Sequence, residues 1–238
     1  MTCTGKKTYT TAIILAAGIG SRLGTDIPKQ RMTLLGKSLV FRAVEPFYIS
    51  DDVDSIVVVA REEDMDFVNN ELHSFDKKSV VIVRGGACRA ESAFIGFKSV
   101  PKETTHVAIH DGARCLITPK SISEVVKAAH EGGAASAASR ITSTVKTIKN
   151  NRITATVSRD TLLLAQTPQV FSRELYSRAI AACEDLNSVT DDNMLIENIG
   201  EYITAVILTE ENPKITYPED LEYARFLIER RGACQDSE

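Results

Sequence analysis

Short apolar, β-branched runs alternate with amphipathic stretches along almost the whole chain, and this alternation restricts the possible folds strongly. The strand-like runs are residues 12–16, 55–60, 80–83, 106–109 and 202–207. Helix-like stretches begin near Ser38, Glu62, Arg89, Ser121, Ser172, Asp191 and Pro218. Runs that are apolar throughout suit a sheet covered on both faces, so the pattern predicts parallel βαβ units. We expect an α/β fold with a Rossmann-like, mostly parallel sheet flanked by helices.

Serine residues mark three of the expected helix starts. Ser38, Ser121 and Ser172 each precede an amphipathic stretch. A serine hydroxyl can accept a hydrogen bond from a free N–H group of the first helical turn, so we expect these residues to be N-caps.

One segment interrupts the alternation of strands and helices. Residues 144–148 and 153–157 are two β-prone runs, and Asn150-Asn-Arg152 separates them. This pattern predicts a hairpin, or β-arm, that projects from the sheet at about residues 141–157. The rest of the chain contains no internal repeat and no flexible linker, so we expect one domain over residues 1–238.

Composition excludes several classes of protein. The chain is 43% hydrophobic with a net charge of −4, which argues against a disordered chain and against a globally basic nucleic-acid-binding protein. Without a membrane-length apolar run or a secretion signal, the expectation is a soluble cytoplasmic protein with no membrane partner. The five cysteines lack the pairing typical of disulfide or zinc frameworks; they are Cys3, Cys88, Cys115, Cys183 and Cys234.

A glycine-rich loop, residues 15–24, follows the first predicted strand and leads to Pro28-Lys29-Gln30. Small residues let backbone N–H groups approach an anion closely, and Arg22 and Lys29 add positive charge. The dinucleotide fingerprint fails because Leu23 stands where its third glycine belongs, and a Walker A loop fails because of Arg31. A triphosphate site is favoured over a plain tight turn.

Polar groups also follow the other predicted strands. The two glycines at 85–86 could contact a flat base, and Asp111 could hold a hydrated Mg²⁺, although a structural pair with Arg114 is an open alternative. Further polar groups come from Arg159, Gln166–Gln169, Thr190 and Lys214. Each is weak alone, but together they predict an anion site at one edge of the sheet.

The ordered set of motifs resembles the 2-C-methyl-D-erythritol 4-phosphate cytidylyltransferases of the non-mevalonate isoprenoid pathway. The motifs are L-A-A-G-I-G-S-R-L-G with P-K-Q (15–30), G-G-x-x-R-x-x-S (85–92), H-D-G-A-R (110–114), T-V-K (144–146), R-D (159–160), A-Q-T-P-Q-V-F (165–171), T-D-D (190–192) and K-I-T-x-P-E-D-L (214–221). The resemblance implies that the chain transfers CMP from CTP to methylerythritol phosphate with Mg²⁺ and releases pyrophosphate. It also implies a homodimer in which each arm helps to complete the partner's substrate site.

The resemblance also implies residue roles. Arg22 and Lys29 would stabilise the transition state, while Arg159 and Lys214 would position the sugar phosphate. The polar contacts to that acceptor would come from Asp111, Thr144, Thr167 and Thr190. The CTP contacts would come from Ala16, Ala17, Gly18, Gly86 and Ser92.

Several positions depart from the usual family pattern, namely Ala87, Cys88, Gly112, Cys115 and Ser143. None of them removes an expected catalytic cation, but they leave the acceptor open. The nearest alternative is the same reaction on ribitol 5-phosphate or another polyol phosphate. A second alternative, a nucleotide-binding module without catalysis, is disfavoured because it would not need all of the cations named above.

Overall fold

A seven-stranded sheet with helices on both faces forms the centre of the protein, in a computed structural model that describes residues 8–24 and 27–235. The strands are β1 (Thr10–Leu15), β2 (Thr33–Leu34), β3 (Lys37–Ser38), β4 (Ser55–Ala60), β5 (Ser79–Arg84), β6 (His106–Asp111), β7 (Ala134–Arg140), β8 (Val145–Lys149), β9 (Arg152–Val157), β10 (Leu163–Ser172) and β11 (Thr204–Ile207). The helices are α1 (Leu39–Ile49), α2 (Met65–Leu72), α3 (Arg89–Lys98), α4 (Pro119–Gly132), α5 (Arg173–Ala181), α6 (Asp192–Asn198) and α7 (Pro218–Gln235).

The sheet has the order β11-β7-β10-β6-β1-β4-β5. The β1–β4, β1–β6, β4–β5 and β7–β11 pairs are parallel, which confirms the Rossmann-like, mostly parallel fold. The sequence did not predict β7 or β10, and β10 runs antiparallel between β6 and β7. β7 is built from alanine and serine, which have little intrinsic preference for strands, so its neighbours in the sheet impose its conformation.

Successive residues of β1 enter two separate hydrophobic layers. Ile14 packs in the layer that contains Phe47 of α1, and Ile13 packs in the layer that contains Ala93 of α3. Because both faces of the central strands are covered, every residue of β1 and β4 is buried. This explains why these strands are apolar without alternation.

Two of the three expected serine caps are present. The Ser38 hydroxyl accepts a hydrogen bond from Phe41 N at 3.2 Å, and the Ser172 hydroxyl accepts one from Leu175 N at 3.3 Å. The prediction for Ser121 was wrong, because α4 begins earlier, and Thr118 is its N-cap. Proline at the first helical position favours this earlier start, and Ser121 N donates to Thr118 Oγ1 at 3.2 Å.

The predicted β-arm is confirmed as an antiparallel hairpin of β8 and β9. Its turn contains two asparagines with positive φ, Asn150 at 49° and Asn151 at 59°, a conformation that asparagine tolerates better than most residues. Ile148 and Ile153 of the arm are 70% and 68% exposed. The arm therefore presents apolar side chains that its own chain does not cover.

Two further observations concern the redox state of the cysteines and the length of the helices. Cys88, Cys115 and Cys183 are free thiols, whereas Cys3 and the side chain of Cys234 lie outside the described part of the chain. Within residues 8–24 and 27–235, no helix is both long and apolar enough to cross a membrane.

Candidate active site

A cavity of about 640 Å³ opens at the carboxyl ends of β1, β4, β5 and β6. Its wall carries six cationic side chains and three carboxylates. The cations are Arg22, Lys29, Arg61, Arg84, Arg89 and Lys214, and the carboxylates are Glu62, Glu63 and Asp111. Ligands of open α/β sheets bind at this edge, and the excess of positive charge suits a ligand with several negative charges.

The loop after β1 curves around Lys29. Gly20 has a φ of +72°, and an added Cβ there would lie 2.7 Å from Lys29 Cβ, so only glycine fits this position. An added Cβ at Gly18 would meet nothing within 4 Å, so the backbone there is open to a ligand. Ala17 and Gly18 line the cavity, whereas Ala16 is fully buried directly beneath them.

Lys29 is a cation with little access to water. It is 8% exposed, and its Nζ donates to the carbonyl of Ile215. Burial, together with the positive charge of Lys214, lowers the pKa of Lys29 to about 8, against the opposing effect of Asp111. A desolvated, mutually repelling group of cations is stabilised when an anion enters.

Asp111, the last residue of β6, lies opposite Leu15 of β1 and holds two cations in the wall of the cavity. Its Oδ1 accepts from Arg89 Nε at 3.1 Å, and its Oδ2 accepts from Lys214 Nζ at 2.7 Å. Burial alone would raise the pKa of Asp111, but the charges of Arg89 and Lys214 hold it well below its usual range. The carboxylate is therefore ionised, and Arg114 Nε lies farther away, 3.9 Å from Oδ2.

Thr167 supports Asp111 from behind the cavity wall. The Thr167 hydroxyl accepts from Asp111 N at 3.1 Å and lies 3.0 Å from Nδ1 of the fully buried His110. Burial lowers the pKa of His110 to about 4, so this ring is neutral at pH 7. Thr167 thus holds the end of β6 in place and does not itself line the cavity.

At the other end of the cavity, the segments that follow β1 and β5 lie against each other. An added Cβ at Gly85 would lie 2.6 Å from Ala17 Cβ, so only glycine allows this close packing. Ser92 Oγ accepts a hydrogen bond from Gly86 N at 3.1 Å and holds the loop against α3. Gly86 and Ser92 both line the cavity, and their contact with a base stays a prediction.

Five expected site residues do not line the cavity of the described chain: Ala16 and Thr167, which are buried behind its wall, and three exposed residues. Arg159 is exposed near the base of the arm, where its Nη1 donates to Thr142 O at 2.6 Å. Thr144 and Thr190 are also exposed, and neither lines the cavity. One chain therefore brings together Arg22, Lys29, Asp111 and Lys214 but leaves these three residues apart from them.

The sequence analysis missed Arg89 as a functional candidate. Its guanidinium contacts Asp111 and also donates through Nη1 to Asp192 Oδ2 at 2.7 Å. Arg89 is the arginine of the G-G-x-x-R-x-x-S motif, which was the available signal. Its partner Asp192 is 103 residues away along the chain, so no local pattern links the two.

A cavity lined by glycines and cations, at the carboxyl edge of a Rossmann-like sheet, is typical of a nucleotide-binding protein. The sequence model of the 2-C-methyl-D-erythritol 4-phosphate cytidylyltransferase (IspD) family matches residues 10–230. The chain belongs to this family and is a cytidylyltransferase.

Named relatives and solved structures agree with this assignment. The 2-C-methyl-D-erythritol 4-phosphate cytidylyltransferase of Clostridioides difficile is 37% identical over 91% of this chain and 92% of its own length. The enzyme of that name from Pelotomaculum thermopropionicum is also 37% identical, over 92% of this chain and 94% of its own. The 4-diphosphocytidyl-2C-methyl-D-erythritol synthase structure from Anaerococcus prevotii superposes with a TM-score of 0.82 at 27% identity, covering 93% of this chain and 99% of that one.

Proposed function

We propose that this protein transfers CMP from CTP to 2-C-methyl-D-erythritol 4-phosphate and releases pyrophosphate, in the non-mevalonate synthesis of isoprenoid precursors. The observation that carries the proposal is the buried, partly desolvated Lys29 in a wall that also holds Arg22 and Lys214. The names of the relatives support methylerythritol phosphate as the acceptor and do not favour ribitol 5-phosphate. We also propose that the reaction takes place in the cytoplasm.

Because the reaction joins two anions, positively charged side chains are proposed to supply most of the transition-state stabilisation. An oxygen of the acceptor phosphate attacks the α-phosphorus of CTP; a new P–O bond forms as the bond to the bridging oxygen breaks. Pyrophosphate leaves with that electron pair. Arg22 can make forked contacts with phosphate oxygens, and Lys29 supplies a point charge. Lys29 is buried, so its charge acts more strongly there than it would in solution.

The cytidine part of CTP is proposed to lie at the end of the cavity that Gly85 and Gly86 line. Ala17, Gly85 and Gly86 line this end of the cavity with little or no side chain, which suits the close approach of a flat base. The Ser92 hydroxyl accepts from Gly86 N, so its own hydrogen can be donated to the nucleotide. The backbone at Gly18 faces open space and can contact the phosphates, while Ala16 holds the loop from below through Ala16 N to Val59 O at 2.7 Å.

The acceptor is proposed to lie next to Lys214 and Asp111, and to need a second copy of the chain. Thr144 directly precedes β8 of the arm, and Arg159 lies two residues after the end of β9. Both residues lie outside the cavity of their own chain. The exposed Ile148 and Ile153 favour burial of the arm against another surface, because an isolated two-stranded hairpin is only marginally stable in water. We therefore propose a homodimer in which the arm of one chain completes the acceptor site of the other, with Thr190 as a further contact and with Thr167 acting on the acceptor only through Asp111.

Mg²⁺ is proposed to bind at Asp111 together with the phosphates of CTP. Among the residues that the structure describes, no cluster of three or more His, Cys, Asp or Glu side chains could hold a metal ion. A single carboxylate fits Mg²⁺, which often takes one or two carboxylates and completes its shell with phosphate oxygens and water. Asp111 lines the cavity, is ionised, and has lone pairs beyond those used by Arg89 and Lys214. The bound ion would neutralise part of the triphosphate charge.

The direct test is pyrophosphate release from CTP and Mg²⁺, measured with methylerythritol 4-phosphate and with ribitol 5-phosphate in parallel. Release with methylerythritol phosphate alone is expected. Release with ribitol phosphate alone would keep the fold and the cations but contradict the acceptor. Release with neither would contradict the proposed function.

The two acceptor cations can be tested separately from the CTP site. Lys214→Ala and Arg159→Ala are expected to raise the acceptor KM and lower kcat while CTP affinity changes little. Lys98→Ala, on α3 and outside the cavity wall, is the matched control and should leave both unchanged. A defect confined to CTP binding would show that the two subsites have been assigned the wrong way round.

A further inference from the structure

A buried polar chain runs behind the cavity wall from α5 to Asp111. Its two innermost members are Tyr176, which is 1% exposed, and Asp192, which is fully buried. The Tyr176 hydroxyl donates to Asp192 Oδ1 at 2.6 Å, and Asp192 Oδ2 accepts from Arg89 Nη1 at 2.7 Å. Neither Tyr176 nor Asp192 lines the cavity, so neither can touch a bound substrate there.

Arg89 connects this buried pair to the charged groups of the site. One guanidinium is shared by two carboxylates, with Nη1 on Asp192 and Nε on Asp111. Asp111 then holds Lys214 through its second oxygen, at 2.7 Å. The contacts therefore form a continuous path from a tyrosine in the core to a lysine that lines the cavity.

The position of Asp192 is itself held on several sides. Its backbone N–H donates to Gln169 Oε1 at 2.9 Å, and Gln169 Nε2 donates to Asp191 Oδ2 at 2.8 Å. These bonds tie the start of α6 to β10. Burial and the neighbouring Asp192 charge raise the pKa of Tyr176 well above its usual value, so its hydroxyl keeps its proton and remains a donor.

We infer that Tyr176 and Asp192 are positioning residues for the acceptor side of the site, and that they act through Arg89 on Asp111 and Lys214. An arginine free of Asp192 could turn both arms of its fork onto Asp111 and occupy the oxygen that now holds Lys214. With Asp192 in place, Arg89 reaches Asp111 through Nε alone, and Oδ2 is left to Lys214. The inference rests on the proposed function, in which Lys214 positions the acceptor phosphate.

The first test is Tyr176→Phe, which removes one hydroxyl and keeps the ring. The loss of one buried hydrogen bond is expected to raise the acceptor KM by about threefold to tenfold while the KM for CTP stays within about twofold. Thr11→Val is the matched control, because it also removes a buried hydroxyl, one that bonds Ser55 Oγ at 2.9 Å and Thr104 Oγ1 at 2.7 Å. Thr11 lies at the other end of β1, so this variant should lose thermal stability without changing either KM.

A second readout does not depend on turnover. Acylation of Lys214 by an amine-reactive reagent, followed by mass spectrometry, is expected to be about twofold or more faster in Tyr176→Phe and in Asp192→Asn. The reason is that a weakened contact with Asp111 exposes the amine. Asp192→Asn keeps the shape of the side chain, removes the charge and turns one of the two acceptor oxygens into a donor. Tyr176→Phe covers the case in which that variant does not fold.

The outcomes separate this inference from the proposed function. If the wild-type protein releases no pyrophosphate, the proposed function fails, and the Lys214 acylation rates still decide whether the buried pair controls that side chain. If the acceptor KM and the Lys214 rate in Tyr176→Phe match those in Thr11→Val, Tyr176 and Asp192 serve stability alone, and the inference is overturned.

Discussion

Replacing Lys29 by methionine should make the protein more stable and nearly inactive at the same time. The pKa of Lys29 falls from 10.5 to about 8 in the folded protein. That shift corresponds to about 3 kcal/mol against the charged form in the absence of ligand. At pH 7 the ammonium group is still mostly charged, so the folded protein carries most of this cost. Methionine is similar in length and carries no charge, so it removes the cost.

The net gain is smaller because one hydrogen bond is lost. Lys29 Nζ donates to the carbonyl of Ile215, and leaving that buried acceptor without a partner costs about 1–2 kcal/mol. The expected change is therefore a stabilisation of about 1–2 kcal/mol, or about 2–8 °C in Tm for a chain of this size. Loss of a transition-state cation should lower kcat by at least about 10²-fold.

The pH dependence of this stabilisation follows from the direction of the shift. The unfolded chain keeps the lysine proton up to about pH 10.5, whereas the folded protein releases it from about pH 8. The unfolded state therefore binds more protons between these values, and wild-type stability rises with pH across this window. The advantage of Lys29→Met should be full below pH 8 and should shrink as pH rises towards 10.5.

Calorimetric unfolding at pH 7 and at pH 9.5, together with pyrophosphate release, measures both effects. Lys78→Met is the matched control, since Lys78 also donates to backbone carbonyls, those of Phe47 and Ser50, and burial also lowers its pKa. Lys78 is not part of the cavity wall and makes no transition-state contact there. The kcat of Lys78→Met should therefore stay within about twofold of the wild-type value. A Lys29→Met protein that is less stable than wild type, or that turns over at a near-normal rate, would refute the reasoning.

Three further expectations concern pH, assembly and packing. kcat/KM for CTP should fall about tenfold per pH unit above about pH 8, because Lys29 of the ligand-free enzyme loses its proton. Lys29→Arg should abolish this decrease. A decrease that persists in Lys29→Arg would mean that another group causes it. Ile153→Asp, at a position 68% exposed in the single chain, should weaken self-association in sedimentation velocity without lowering Tm of the monomer. Gly96→Ala should destabilise the protein by about 1–3 kcal/mol in urea unfolding, because its Cβ would lie 2.4 Å from Ile13 Cγ2. An unchanged midpoint for Gly96→Ala would mean that α3 can move away from the sheet.

Much of the fold and of the cavity could be predicted because the relevant signals are local. Strands buried on both faces must be apolar throughout, and this pattern in β1, β4 and β6 was enough to predict the parallel core. The loop at residues 15–24 combines glycines with cations next to a strand end. Since carboxyl ends of parallel strands meet at one edge, the sequence also predicted that Arg22, Lys29 and Asp111 would converge.

Other features were decided only by the tertiary structure. β7 has an alanine- and serine-rich sequence with little strand preference, and it pairs as a strand because β10 and β11 lie on either side of it. The start of α4 at Pro119 depended on which of two nearby hydroxyls capped it. In both cases the local sequence allowed more than one conformation, and the surrounding contacts settled the outcome.

The tertiary structure also decided the electrostatics of the site. The chain's composition allowed cations and carboxylates anywhere on its surface, but burial and long-range pairing determine which of them are perturbed. Arg89 meets Asp192 across 103 residues, and Lys214 meets Asp111 across 103 residues. The sequence by itself determined which residue types reach the carboxyl edge of the sheet. Only the folded chain decided which of those charges lose their water and which find a partner, because desolvation and ion pairing depend on distances between segments that are remote along the chain.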